Sequence, residues 1–254
     1  MKKIILLLVL CILCVQIGIC QQSDSIKPTS HFSGVITVTN NGISLIPSFS
    51  LGKPAVLFDL SVGKGKWSFD PMLRFGINGK PWAFIFWWRY KLVTTPKFKM
   101  SVGAHPSFVF RDVSVTQNGI TKNYLNTQRF FAWEATPTYF VHNKIGLGMH
   151  YLGSHGLTKD IVQYTHFIAF RTFFNHIPLS HQFDVTFIPQ AFYLKMDKLE
   201  GKYVNATVIL AKKNLPVTFS TIVSKAINTE IAGKDFIWSL ALNYNFNKTY
   251  VLRK

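Results

Sequence analysis

Acidic residues are scarce in this 254-residue chain, where 11 Asp and Glu stand against 28 Lys and Arg, for a formal charge of +17. Cysteine is scarcer still: Cys11, Cys14 and Cys20 are its three copies, and all fall within the first twenty residues. If that segment is removed, disulfide scaffolds and cysteine metal sites are excluded. Beyond residue 20, no apolar stretch approaches the roughly 20 residues that a membrane helix needs. No helical His-x-x-x-His pair, G-x-S-x-G elbow or P-loop is present, and "GKGK" at 63–66 and "GINGK" at 76–80 read as turns between strands. The eight histidines read as ordinary rim and loop residues. On this reading the chain is not an enzyme and has no catalytic residue, metal or cofactor.

The N-terminus carries an address. "MKKIILLLVLCILCVQIGIC" joins two lysines, a short apolar run and the trio Gly18-Ile19-Cys20, so residues 1–20 are expected to be a secretory signal peptide cleaved before Gln21. Removing Lys2 and Lys3 lowers the charge from +17 to +15. In an exported, aromatic-rich chain this basic balance fits lysines facing anionic lipid, and no nucleic-acid partner is expected. Residues 21–31 are expected to form a flexible periplasmic leader.

Strict alternation fills the remainder. In "KPWAFIFWWRYK", Trp82, Phe84, Phe86, Trp88 and Tyr90 share one face, against Ala83, Ile85, Trp87 and Arg89. "DFIWSLALNYNF" sets Phe236, Trp238, Leu240, Leu242, Tyr244 and Phe246 against Ser239, Ala241, Asn243 and Asn245. A period of two is the mark of a strand with one apolar and one wetter face. The middle of the apolar face carries no charge, and Trp67, Trp82, Trp88, Trp133 and Trp238 lie on it as an aromatic belt. Lipid is the solvent that tolerates such a surface.

The expected fold is therefore all-β: a closed antiparallel transmembrane β-barrel of about 12 strands over residues 32–247, followed by a short basic tail, 248–254. The spans are 33–51, 54–62, 66–76, 81–92, 97–111, 127–141, 144–152, 161–174, 180–195, 202–211, 216–227 and 235–246. A bulge at Asn40-Asn41-Gly42 accounts for a parity shift in the first. Short turns at 63–65, 93–96, 142–143, 175–179 and 212–215 mark the periplasmic side, and the longer segments 112–126, 153–160 and 228–234 mark the outer one. Pro47, Pro71, Pro106, Pro137 and Pro189 all fall on the apolar parity, where bulges or rim positions would accommodate them.

With its signal peptide, its alternating aromatic strands and the final "FIWSLALNYNF" closing on Phe246, the chain resembles the outer-membrane β-barrel proteins of Gram-negative bacteria. The chain departs from their pattern by continuing through "NKTYVLRK". The resemblance implies a location in the outer membrane, with its lipids and the barrel-assembly machinery as partners.

Function must then come from the interior. Asp59, Asp70, Arg74, Arg89, Lys99, Arg111, Glu134, Arg171 and Asp184 fall on the inward parity. They read either as a pore lining that selects small solutes or as ion pairs filling a narrow lumen. The leading expectation is a passive pore for small solutes; the alternatives are an outer-membrane lipid-modifying enzyme and a structural or assembly barrel without transport. Asn78-Gly79 is a two-residue hairpin signal. Its register puts Gly76 opposite Pro81, Arg74 opposite Ala83, Asp70 opposite Trp87 and Ser68 opposite Arg89. Asp70 then lies diagonal to Arg89, and the expected result is an interior ion pair with Trp87 beside it as the one inward tryptophan.

Overall fold

A computed structural model describes residues 29–44 and 46–251. The expected signal peptide and most of the leader lie outside the described residues. Twelve antiparallel strands close into a barrel in which each pairs with its chain neighbours and β1 with β12. They are β1 (Ser30–Thr39), β2 (Ala55–Lys64), β3 (Trp67–Gly76), β4 (Pro81–Thr94), β5 (Phe98–Gln117), β6 (Ile120–His142), β7 (Ile145–Gly156), β8 (Tyr164–Pro178), β9 (Phe183–Met196), β10 (Leu199–Lys212), β11 (Val217–Thr229) and β12 (Phe236–Tyr250). The closing ladder runs from Ser30 opposite Tyr250 to Thr39 opposite Ala241, so residues 248–250 are strand rather than tail. The end at which β1 starts and β12 stops is called the inner end below.

Four prolines sit well inside strands, away from the rim. Pro71, Pro106, Pro137 and Pro189 each pair with a residue on one neighbouring strand. On the other side of each, the ladder skips: between Asp59–Met72 and Val62–Phe69, Ile85–Ser107 and Trp88–Ala104, Ala135–Tyr151 and Thr138–Gly148, and Arg171–Gln190 and Phe174–Phe187. A missing N–H thus costs a local gap while the sheet stays closed.

Two spans differ from expectation. The first strand ends at Thr39, and a loop over 40–54 folds inward around a short 3₁₀ turn, Pro47–Phe49. The loop closes on itself through Gly42 N–H to Lys53 O at 2.8 Å and Leu51 N–H to Gly42 O at 2.8 Å. Segment 112–126 is not an irregular loop: β5 and β6 pair without interruption from Phe98–Tyr139 out to Gln117–Ile120. Asn118 and Gly119 form its turn, both at positive φ (53° and 76°), the backbone that an Asn-Gly pair adopts at least cost.

The interior has two halves. Towards the outer end, Leu152, Phe167, Ala169, Phe192, Leu194, Met196 and Tyr203 form a buried apolar cluster. Ile46 from the 40–54 loop and Ile231 from the β11–β12 connection pack into it. Towards the inner end the wall is polar. Thr37 Oγ1 donates to Asn243 Oδ1 at 2.9 Å, and Asn243 Nδ2 donates to Ser220 Oγ at 3.0 Å. The outer half is packed like a protein core, which the small and polar character read from the inward parity did not lead us to expect.

Candidate functional site

Where the two halves meet, a chain of polar contacts runs from β1 to β7 through side chains on six of those seven strands. His31 Nε2 lies 3.0 Å from Ser61 Oγ, and Ser61 Oγ donates to Asp70 Oδ1 at 2.6 Å. Ser68 Oγ also donates to Asp70, at 3.1 Å. Arg89 then bridges two carboxylates, donating from Nη1 to Asp70 Oδ2 at 2.9 Å and from Nε to Glu134 Oε1 at 2.6 Å. His150 Nε2 holds the other oxygen, Oε2, at 3.0 Å. Such charge-assisted bonds are the short, strong ones, and here they offset the cost of withdrawing four ionisable groups from water.

A glycine makes the long reach possible. Arg89 pairs with Gly103, and Gly103 with Glu134, so the three stand in one row across β4, β5 and β6. A Cβ on Gly103 would lie 3.0 Å from Arg89 Cγ and 3.1 Å from Trp87 Cε3. Its absence leaves a channel along which the Arg89 side chain crosses an entire strand. Trp87 packs edge-on against His105 with ring centroids 4.0 Å apart, and the Arg89 guanidinium lies 4.4 Å from the Trp87 ring centre.

Beside this network is a cavity of about 330 Å³. Arg74, Arg89, Arg171, His105, His150 and Glu134 supply its polar lining; Ile46, Phe49, Met72, Trp82, Trp87 and Phe130 supply much of the apolar lining. The Arg74 guanidinium lies 5.5 Å from the Trp82 ring centre, and its Nε is buried without a hydrogen-bond partner, as are His105 Nδ1 and His150 Nδ1. Nearer the inner end, a second recess of about 370 Å³ is bordered by Lys91, Lys99, Ser101, Thr136 and Phe140.

The expected interior charges thus divide. Asp70, Arg89 and Glu134 are joined directly, and Arg74 and Arg171 line the same cavity. Asp59 lies on β2 with Oδ1 buried and without a hydrogen-bond partner, and Lys99 sits in the inner recess with Nζ 5.0 Å from the Phe140 ring centre. Arg111 stands at the outer mouth near Asn78 and Lys80, and Asp184 lies near the inner end of β9 opposite Ala211. Among the described residues, no group of three or more metal-ligating side chains occurs.

Trp67, Trp88, Trp133 and Trp238 are exposed on the outer wall, but Trp82 is not part of that belt: it is 1% exposed, inside the barrel. The cause is a register shift. The expected pairs hold from Ser68–Arg89 to Arg74–Ala83; then Phe75 pairs with Pro81, leaving Trp82 as a bulge. The turn is accordingly the four residues 77–80, closed by Gly76 N–H to Lys80 O at 2.9 Å, rather than Asn78-Gly79 alone. The bulge rotates the indole inward, where its N–H donates to Phe49 O at 2.9 Å. Burying a tryptophan with its N–H satisfied outweighs a regular two-residue turn. Trp87 is therefore not the sole inward tryptophan. His105 and His150 also depart from the rim-and-loop reading, since both are buried inside the barrel. Their position on the inward parity of β5 and β7 was the available signal.

A closed twelve-stranded wall with an apolar, tryptophan-bearing exterior and a charged interior is that of a transmembrane β-barrel. No protein-family model matches the chain, and neither does any curated protein. Solved structures do match. The KdgM porin, in complex with disordered oligogalacturonate, aligns with a TM-score of 0.49 and 7% identity over 85% of this chain and 99% of its own. The NanC porin gives 0.49 and 9%, over 86% of this chain and all (100%) of its own. LpxR from Salmonella typhimurium gives 0.48 and 9%, over 84% and 99%. At these identities the likeness concerns architecture alone. The expectation that the chain is not an enzyme does not stand: LpxR, an enzyme, matches alongside the porins, so this architecture gives no ground for excluding catalysis.

Proposed function

We propose that the chain is an outer-membrane channel for small solutes whose outer half is closed in the conformation described. The observation that carries this reading is the charged interior, with the Lys99 recess nearer the inner end and the Arg89 network beside a cavity at mid-barrel. A barrel serving only as a scaffold gains nothing from buried charges with unsatisfied atoms, because each costs stability. Along a solute path, the same groups are the selective lining. Closure depends on the 40–54 loop, which places Ile46 and Phe49 against the wall. Passage requires that loop to swing out. On this reading residues 1–20 direct export in a Gram-negative cell, the assembly machinery inserts the barrel, and Trp67, Trp88, Trp133 and Trp238 anchor it among the lipids. The test is planar-bilayer conductance of refolded residues 21–254, with and without replacement of 43–51 by a short Gly-Ser linker. The intact chain should open briefly and rarely, and the shortened chain should conduct steadily. A folded, shortened barrel that passes no current would refute the channel.

A further inference from the structure

We infer that the mid-barrel cavity is a binding site for a small organic acid with an apolar, ring-sized body. The inference rests on the channel reading in that it assigns what the solute path holds. Three observations support it. First, about 330 Å³ is a ligand-sized volume, and Phe49, Trp82, Trp87 and Phe130 give it flat aromatic walls alongside Met72 and Ile85. Second, the cavity offers arginine donors. Among the described residues, no carboxylate lies within ion-pair distance of Arg74 or Arg171, while Arg89 holds two. Arg74 also keeps a buried Nε without a partner. Arginine cannot shed its charge by deprotonation, and Asp59, the carboxylate whose field reaches Arg74, makes no ion pair with it, so an enclosed guanidinium without a bonded carboxylate favours an anion. Third, the lining offers a cation no free carboxylate. Its one carboxylate, Glu134, has Oε1 engaged by Arg89 and Oε2 by His150. An anion with an apolar body satisfies both kinds of wall at once, with its carboxylate on the arginines and its ring against the tryptophans.

The experiment is calorimetric titration of refolded residues 21–254 in detergent with three probes: cyclohexanecarboxylate, cyclohexanemethanol and sulfate. The carboxylate should bind saturably, and the uncharged alcohol and the ringless anion at least tenfold more weakly. Arg171→Gln and Arg74→Gln should each weaken carboxylate binding at least tenfold, in barrels shown to be folded by their faster migration when unheated. Should Arg74→Gln fail to fold, Arg171→Gln decides alone. No saturable binding by the folded wild type, equal binding of acid and alcohol, or binding untouched by the folded arginine variants would each overturn the site. Conductance separates the two proposals: binding without any current leaves the site and removes the channel, and current without binding does the reverse.

Discussion

The Arg89–Glu134 contact is the shortest ion pair in the interior, at 2.6 Å, and Glu134 is only 4% exposed at its side chain. Breaking a buried pair by removing one partner costs about 3–5 kcal/mol, since the remaining charge stays buried. Glu134→Gln leaves Arg89 with Asp70, still 2.9 Å away, so its cost should fall near the lower limit, about 3 kcal/mol. Arg89→Gln is worse because it strands two carboxylates, Asp70 and Glu134, and about 5 kcal/mol is expected. The double variant leaves Asp70 with its two serine donors, Ser61 and Ser68, and leaves no charge at position 134. It should therefore cost well below the sum, with a coupling of about 2 kcal/mol. The assay is urea unfolding of each barrel in lipid vesicles, followed by tryptophan emission and by the heat-dependent shift on gels. Additivity within about 0.5 kcal/mol would show that the two side chains do not act as a pair.

Further outcomes follow from single positions. Gly103→Val should lengthen or break the Arg89–Glu134 contact by filling the row between them, so the part of its destabilisation that comes from the lost ion pair should vanish in an Arg89→Gln background, while the crowding of Trp87 and the Trp88 carbonyl remains; full additivity in the same urea assay would argue against it. Trp82→Phe keeps a ring but loses the bond to Phe49 O, worth about 1 kcal/mol, and faster protease cleavage within 43–51 is the expected readout. Leu242→Arg puts a charge on the exposed outer face near the middle of β12, at a cost of about 2–4 kcal/mol if it meets the bilayer centre. Thr218→Arg, on the inward parity, should cost less, and equal penalties would reverse the assignment of inside and outside.

Much of the wall was legible because a period of two reports faces directly. The alternation in 66–76 and 81–92 and the Asn-Gly signal were enough to place Asp70 beside Arg89, and both lie where that register puts them. Legibility ended where one residue was gained. Trp82 looks like any belt tryptophan until its bulge is known, and what settles the bulge is a contact with Phe49, more than thirty positions earlier. The 40–51 segment failed for a related reason: Phe49 lies on the parity expected to face outward, but it packs against the inner wall, where Ile46 is also buried. Alternation says which residues share a face; it does not say what lies opposite that face.

That distinction bears on the lumen. Phe167, Leu194 and Tyr203 share the inward parity with Arg171, Gln190 and Asn205 on the same three strands, β8 to β10. Each strand therefore changes character along its length, apolar towards the outer end and mixed towards the inner one, where Phe173, Ile188 and Ile209 alternate with polar residues on the same parity. A uniformly filled barrel would need no such division, and a uniformly open pore would not tolerate the apolar cluster. The division places the boundary at mid-barrel, where Ile46 from the inward loop and Trp87 from β4 belong to one cluster. The cavity with its arginines lies at that boundary, shared by the two halves. Moving the loop would uncover apolar wall and cavity together, so the proposed closure and the proposed ligand site would be coupled through Ile46 and Phe49. An occupant touching both residues would bind more weakly once the loop swings out, and by reciprocity would hold the loop in place.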